Sequence, residues 1–230
     1  MTTGVLFIHG FTGGPFEIAP LKQFLKSHTD WKVVSPVLPG HEMDCGLQKG
    51  SAASWVMAAE LELQGLLKEV DRVFVIGFSM GGLIAMYLAL RYPITKIVLL
   101  SAAAKYISPK ILVEDARIMM KSSMRHRYPP DSFYHLYNYK LTHTPIRAAL
   151  EFLRVVRLVK PYHQDVKTPV CIVQGEKDGI VPVSTASLLF EQLGSEHKKL
   201  IYSERGKHHI CYSDDRDVWF EKVLSFLIED

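Results

Sequence analysis

The chain has 230 residues, of which 48% are hydrophobic and 22% charged, as expected for one globular domain with room for an insertion. Its net charge of +3 is too small to indicate a nucleic-acid partner. No apolar run approaches the roughly 18 residues that span a bilayer, and no secretory leader is expected before the first apolar run. The three cysteines, Cys45, Cys171 and Cys211, are widely spaced, so neither a disulfide framework nor a zinc site is expected. These features predict a cytoplasmic protein without stable membrane insertion.

Short apolar runs rich in β-branched residues predict six strands. In chain order they cover residues 5–8, 33–38, 73–76, 96–100, 169–173 and 199–202. Most are continuous rather than alternating, which is typical of strands buried on both faces of a sheet. Segments with helical spacing lie between them, at residues 16–27, 54–69, 81–91, 183–193 and 218–228. This alternation predicts an α/β fold, with a parallel sheet of about six strands and helices on both of its faces.

Residues 104–161 interrupt this alternation. No buried strand is predicted there, the helical spacing is broken by prolines, and aromatic residues and methionines are frequent. Between Lys105 and Lys160 there are eleven Lys or Arg and four Asp or Glu, a net charge of +7. We therefore predict a helical cap at residues 104–161, inserted after the fourth strand, and a core formed by residues 1–103 and 162–230.

The run Gly77-Phe78-Ser79-Met80-Gly81 follows the third predicted strand and leads into a predicted helix. A turn this tight strains its central residue, and glycines on both sides let the neighbouring backbone approach. The Ser79 hydroxyl is then held above the sheet edge at a helix N-terminus, where positive partial charge favours an oxyanion. This is the G-x-S-x-G pattern of an exposed nucleophile. A phosphate-binding turn is disfavoured, because neither G-x-x-x-x-G-K nor G-x-G-x-x-G is present.

A serine nucleophile needs a base and an acid, and in this motif the acid precedes the histidine along the chain. Asp178 follows the fifth predicted strand, where ligand-facing residues of parallel sheets gather. Glu176 competes with Asp178 for this role, but we expect Glu176 to face solvent. His208 and His209 follow the sixth strand, and only one of this adjacent pair can point at Ser79. The residues themselves leave the choice between the two histidines open.

An oxyanion hole requires two backbone N–H groups. One is expected from Met80, the residue after the nucleophile. The other is expected from Phe11, in the glycine-rich stretch 9–14 that follows the first predicted strand. We interpret His9, at the start of that stretch, as a structural loop residue.

The stretches HGFTGGP, LPGHE, GFSMGG, GEKDGIVP and HHI together resemble the α/β-hydrolase superfamily, and within it the small bacterial carboxylesterases and monoacylglycerol lipases. The resemblance covers nearly the whole chain, and it is strong in the core motifs but weak in the cap. In those relatives the catalytic histidine begins the pattern H-[VI]-x-x-x-D, which the sequence from His209 to Asp214 fits. The resemblance therefore implies a triad of Ser79, Asp178 and His209. It also implies an oxyanion hole at Phe11 and Met80, with no metal and no organic cofactor.

The resemblance implies a serine carboxylesterase that hydrolyses short-to-medium acyl esters or monoacylglycerols through an acyl-enzyme on Ser79. The aromatic and methionine side chains of the predicted cap suit an apolar acyl group, or they form the small core of the cap itself. The cap's positive charge favours an anionic substrate, or it belongs to a solvated helix face. Thioesterase, lactonase, amidase or C–C hydrolase activity, and a ligand receptor with slow turnover, stay open as alternatives. The oligomeric state is left open.

Overall fold

In the residues that the structure describes, six parallel strands form one sheet. The computed structural model describes residues 1–42, 50–104 and 145–229. The strands are β1 (Thr3–Ile8), β2 (Lys32–Val34), β3 (Arg72–Phe78), β4 (Lys96–Leu100), β5 (Val170–Gly175) and β6 (Lys198–Ser203). They lie in the order β2-β1-β3-β4-β5-β6, and every neighbouring pair is parallel. The predicted α/β fold with a six-stranded parallel sheet is confirmed.

Helices cover both faces of this sheet. They are α1 (Ala19–His28), α2 (Ala52–Leu67), α3 (Met80–Ala89), α4 (Ile146–Val159), α5 (Ser184–Gln192) and α6 (Arg216–Ile228). One core cluster packs β-strand side chains such as Leu6 against α2, α3, α4 and α5. A second cluster packs the alternate side chains, such as Phe7, against α1 and α6. Because both faces are covered, the inner strands β1, β3, β4 and β5 are almost entirely buried, whereas the edge strands β2 and β6 are partly exposed. In the part of the chain that the structure describes, no helix is long and apolar enough to cross a membrane.

Strand β2 is shorter than the apolar run at residues 33–38 predicts, since it ends at Val34. Pro36 has no backbone N–H and cannot donate to the ladder of a sheet. The N–H of Leu38 donates instead to Nε2 of His9, at 3.0 Å. The second half of the apolar run thus leaves the sheet and packs against the residues that follow β1.

Helix α4 lies inside the segment predicted as a cap, most of which (residues 105–144) is outside the described ranges. It is helical, as its spacing predicts, and Phe152, Val155 and Val159 on it belong to the core cluster that contains α2 and α3. Oε2 of Glu151 accepts a hydrogen bond from the N–H of Ala52, at the start of α2, at 3.1 Å. This packing favours a cap that ends before residue 146, and the division into core and cap stays a prediction.

Candidate active site

Ser79 occupies the turn between β3 and α3 in a strained conformation. Its φ of 53° lies in the left-handed region that non-glycine residues rarely adopt. The surrounding backbone holds it there. The N–H of Ser79 donates to the carbonyl oxygen of Leu100 at 2.9 Å, and the Ser79 carbonyl accepts from the N–H of Gly82 at 3.1 Å. The side chain is thereby fixed at the carboxyl edge of the sheet, at the first turn of α3, as the motif predicts.

Two glycines beside Ser79 are required by close backbone contacts. A Cβ atom on Gly77 would lie 2.2 Å from the carbonyl oxygen of Gly81, and a Cβ on Gly81 would lie 2.1 Å from the carbonyl oxygen of Ile8. Ile8 is the last residue of β1. The turn that carries Ser79 therefore packs directly against the start of the glycine-rich stretch 9–14, which we call the first loop.

The carboxylate of Asp178 is buried and fully engaged just beyond β5. Its Oδ1 accepts the N–H groups of Ile180 and Val181, both at 2.9 Å. Its Oδ2 lies 2.9 Å from Nε2 of Gln174 and 3.0 Å from Nδ1 of His208. Burial opposes ionisation of Asp178, but the nearby His208 ring and these hydrogen bonds outweigh it and hold its pKa below the usual range. Asp178 is therefore an ionised acceptor aimed at one histidine.

That histidine is His208, which corrects the sequence-based choice of His209 as the partner of Asp178. Because the carboxylate only accepts, Nδ1 of His208 carries the proton and Nε2 is left as an acceptor. His208 is 4% exposed, and its ring packs against that of Phe78, the residue before Ser79, with 5.0 Å between the ring centroids. Nε2 of His209 instead lies 3.3 Å from Oε1 of Glu17.

Backbone contacts between the loops after β5 and β6 explain which histidine meets Asp178. The N–H of Glu176 donates to the Ser203 carbonyl and the N–H of Lys177 donates to the Gly206 carbonyl, both at 2.9 Å. A Cβ on Gly175 would lie only 2.3 Å from the Gly206 carbonyl oxygen. These contacts fix the register of the two loops. The Glu176 side chain is exposed, as expected, and takes no part in the pairing.

The first loop is held by His9, which is fully buried at the end of β1. Its Nε2 accepts the Leu38 N–H, so its Nδ1 is the donor to the Gly10 carbonyl oxygen, at 2.9 Å. The Gly10 carbonyl and the Phe11 N–H belong to one planar trans peptide, so fixing the first orients the second. The next residue, Thr12, has a φ of 68°, which is rare for a β-branched residue and marks a strained turn. His9 therefore positions the peptide that carries the predicted Phe11 donor.

The side chain of Phe11 forms an aromatic wall with residues from two helices. Its ring stacks on Phe152 of α4, with centroids 5.3 Å apart, and lies 5.8 Å from Trp55 of α2. Phe152 and Trp55 are buried, whereas Phe11 is partly exposed. Helix α4, at the end of the predicted insertion, thus reaches the loop beside the nucleophile and contributes an apolar surface there.

Glu17 is a residue of this site that the sequence interpretation missed. Its side chain is 1% exposed, and its Oε2 accepts the N–H of Gly10 at 2.8 Å. In the sequence it is one acidic residue in an amphipathic segment after the first loop, a pattern that usually places the side chain in solvent. No feature of the sequence distinguishes it from an exposed carboxylate.

Comparison with known proteins places these residues in a family. A family model described as "Serine aminopeptidase, S33" matches residues 61–215, a span that includes Ser79, Asp178 and both adjacent histidines. A thermostable monoacylglycerol lipase of Bacillus sp. (strain H-257) is 27% identical, over 97% of this chain and 89% of its own length. A carboxylesterase of Bacillus subtilis (strain 168) is 20% identical, over 97% of this chain and 91% of its own.

Solved structures agree with the architecture. One from work on LipS and LipT, two metagenome-derived lipolytic enzymes, superposes with a TM-score of 0.79 at 23% identity, covering 98% of this chain and 93% of that one. A monoacylglycerol lipase from Paleococcus ferrophilus superposes with a TM-score of 0.74 at 18% identity, covering 97% and 93%. The fold is that of the α/β-hydrolases. The chain belongs to the family described as serine aminopeptidase, S33, and is a serine hydrolase.

Proposed function

We propose that this chain is a carboxylesterase that hydrolyses carboxylic esters through an acyl-enzyme on Ser79. The observation that carries the proposal is the 3.0 Å contact between the buried Asp178 carboxylate and His208, beside the strained turn that presents Ser79. Two relatives, a monoacylglycerol lipase and a carboxylesterase, support esters as the substrate class.

In the proposed mechanism, His208 rather than His209 is the general base. Its Nε2 takes the Ser79 proton as the hydroxyl oxygen attacks the ester carbonyl. Asp178 keeps the proton of the ring on Nδ1 and stabilises the imidazolium that forms. The imidazolium then gives the proton to the leaving alcohol, and water activated by the same ring releases the acid from Ser79.

The oxyanion of the tetrahedral intermediate is received by the backbone N–H groups of Phe11 and Met80. Both belong to segments whose backbone is fixed, the first by His9 and the second by the first turn of α3. Donors that are already oriented need no rearrangement as charge develops, and each typically contributes about 10²–10³ to the rate.

The substrate we propose carries an apolar acyl group of short to medium length, either in a simple ester or in a monoacylglycerol. The aromatic wall of Phe11, Trp55 and Phe152 supplies apolar surface next to the proposed oxyanion donor. No charged recognition group is required by this assignment.

The test is hydrolysis of p-nitrophenyl esters from acetate to palmitate by the wild type and by Ser79→Ala. We expect turnover with an optimum in acyl length, and loss of that turnover in Ser79→Ala. Ser187→Ala, at a partly exposed position on α5, is the matched control and should behave as the wild type. A folded wild type that cleaves none of these esters, but cleaves a thioester or a lactone, would replace the carboxylesterase assignment with that activity.

A further inference from the structure

Glu17 and His209 form a second acid–histidine pair next to the one that contains His208. The Glu17 side chain is 1% exposed and that of His209 is 19% exposed, with 3.3 Å between Oε1 and Nε2. Carboxylates are rarely buried to this extent without partners, because removing the charge from water is costly. In the described part of the chain, the partners of this carboxylate are His209 and the N–H of Gly10.

The carboxylate of Glu17 lies inside the curve of the first loop. A Cβ on Gly13 would lie 2.0 to 2.2 Å from its three carboxyl atoms, and a Cβ on Gly10 would lie 3.2 Å from its Oε2. The loop is therefore wrapped around the carboxylate, and glycine at position 13 is what makes room for it. Glu17 accepts a hydrogen bond from the N–H of Gly10, and the next residue, Phe11, carries the proposed oxyanion donor.

His209 connects Glu17 to the segment that carries His208. It is joined by one peptide bond to His208, and both rings pack on Phe78, with centroids 5.0 and 5.7 Å away. The pair thus bridges the first loop, which carries the proposed oxyanion donor, and the loop that carries the proposed base.

We propose that the Glu17–His209 pair is a positioning device, which sets the oxyanion donor of the first loop relative to His208 in the transition state. This inference rests on the proposed function only for the identity of the reaction. The geometry of Ser79, His208 and the first loop would serve any acyl or phosphonyl transfer to Ser79. Glu17 and His209 touch no reacting atom in this scheme, and their effect passes through Gly10 and His208.

The structure offers a matched control. The hydroxyl of Tyr212 donates to the carbonyl oxygen of Phe16 at 2.6 Å, so it links the same two segments next to the buried pair. Tyr212 is 42% exposed, and this hydrogen bond goes to a backbone carbonyl rather than to the Glu17 carboxylate. Tyr212→Phe therefore tests whether loosening these two segments is enough to produce an effect.

The experiment measures two rates for each variant. One is the second-order rate constant for labelling of Ser79 by a fluorophosphonate, and the other is steady-state kcat and KM on the best p-nitrophenyl ester. The variants are Glu17→Gln, His209→Leu, the double variant, His209→Gln and Tyr212→Phe. Circular dichroism and urea unfolding establish that each is folded at the assay temperature.

We expect Glu17→Gln and His209→Leu each to lower the labelling rate and kcat by about 10- to 100-fold, the range for a lost charge-assisted hydrogen bond, with little change in KM. The double variant should be no worse than either single variant, because the same interaction is lost in all three. His209→Gln retains an N–H donor and should recover most of the rate. Tyr212→Phe should stay close to the wild type.

Labelling rates of Glu17→Gln and His209→Leu within about twofold of the wild type would overturn the inference, as would an equal loss in Tyr212→Phe. If Glu17→Gln does not fold, the comparison of the labelling rates of His209→Leu and His209→Gln decides whether the inference holds. If the wild type is labelled but hydrolyses no ester, the carboxylesterase proposal fails, while the labelling rates still decide the role of the pair. If the wild type is not labelled at all, both fail.

Discussion

Two adjacent histidines in the candidate site have different acidic partners, since His208 faces Asp178 and His209 faces Glu17. The resemblance matched H-I at residues 209–210, but the structure turns the other ring of the pair toward Asp178. The outcome depends on the contact of Gly175 with Gly206 and on the backbone bonds beside it, which join loops separated along the chain by a whole helix and strand. Long-range contacts of this kind leave no local pattern in the sequence.

The different positions of these histidines predict different losses on substitution. His208→Gln should lower kcat by about 10⁴-fold or more, because the proposed base and its hydrogen bond to Asp178 are both removed. His209→Gln keeps a donor toward Glu17 and should lose less than about tenfold. Steady-state kinetics on one ester, with Ser79→Ala as the background rate, compare the two. Equal losses in the two variants would contradict the assignment of His208 as the base.

Glycine and serine positions were more predictable than the histidine. Only a glycine tolerates a carbonyl oxygen 2.1 to 2.2 Å from where its Cβ would stand, as at Gly77 and Gly81. A requirement this strict selects one residue type, whether the neighbouring carbonyl is close in sequence, as Gly81 is to Gly77, or distant, as Ile8 is from Gly81. It is therefore visible in the pattern G-x-S-x-G. The proposed role of Glu17 depends on its contacts with Gly10 and His209 in the folded protein. A single acidic residue in the sequence does not reveal these contacts.

At the scale of elements, the existence and type of the strands and helices followed from periodicity, and their ends did not. Helix α2 was expected to start near Ser54 but begins at Ala52, because Ser51 and Ser54 cap it reciprocally. The Ser51 hydroxyl accepts the Ser54 N–H at 3.1 Å, and the Ser54 hydroxyl accepts the Ser51 N–H at 2.9 Å. Two nearby serines offer two cap positions, and the choice between them depends on how the preceding chain enters the helix.

A carboxylate on α4 binds the N-terminus of α2, and we expect this hydrogen bond to contribute measurably to stability. The buried Glu151 carboxylate accepts the Ala52 N–H at the positive end of α2. Glu151→Gln should lower the free energy of unfolding by about 1–2 kcal/mol, because it weakens a buried charge-assisted hydrogen bond. Glu60→Gln, which removes a more exposed pairing with Arg91, should cost less than about 1 kcal/mol.

Urea unfolding of the wild type and of both glutamine variants, followed by circular dichroism, gives these two free energies. Comparable m-values are needed, since they show that all three proteins expose similar surface on unfolding. A Glu151→Gln protein as stable as the wild type would mean that α4 does not unfold cooperatively with the core. That result would favour the cap boundary predicted from the sequence, which places residues 146–159 in the cap.

For the molecule as a whole, a sheet with helices on both faces could be predicted, because the apolar runs in the sequence must be buried on both sides. Most of the six strands are continuous apolar runs that need both faces covered, and two core clusters cover them. The register of loops across the carboxyl edge, where the candidate site lies, is set by contacts between segments far apart in the chain. The fold was therefore more predictable than the positions of individual side chains in the site.

The stability of the whole fold should fall as the pH drops below neutral, and buried His163 gives one reason. Its Nδ1 faces Oε1 of Gln192 at 2.9 Å, and in the described ranges its Nε2 has no hydrogen-bond partner. A second proton would enter at Nε2 in a site that is 4% exposed. Burial lowers the pKa of His163, although the Gln192 bond opposes this, and the positive charge of Lys160 lowers it further.

Since the unfolded chain then binds this proton more readily than the native protein, the stabilising contribution of neutral His163 is complete above about pH 6.5. It is lost as the pH falls below that value toward the lower native pKa. Urea unfolding at pH 7.5 and pH 5.5 should therefore give a lower free energy at pH 5.5. The drop should be smaller in His163→Gln than in the wild type, because that variant cannot take up the proton. His28→Gln, which replaces an exposed histidine at the end of α1, should keep the full drop. An equal drop in all three proteins would assign the pH dependence to other groups.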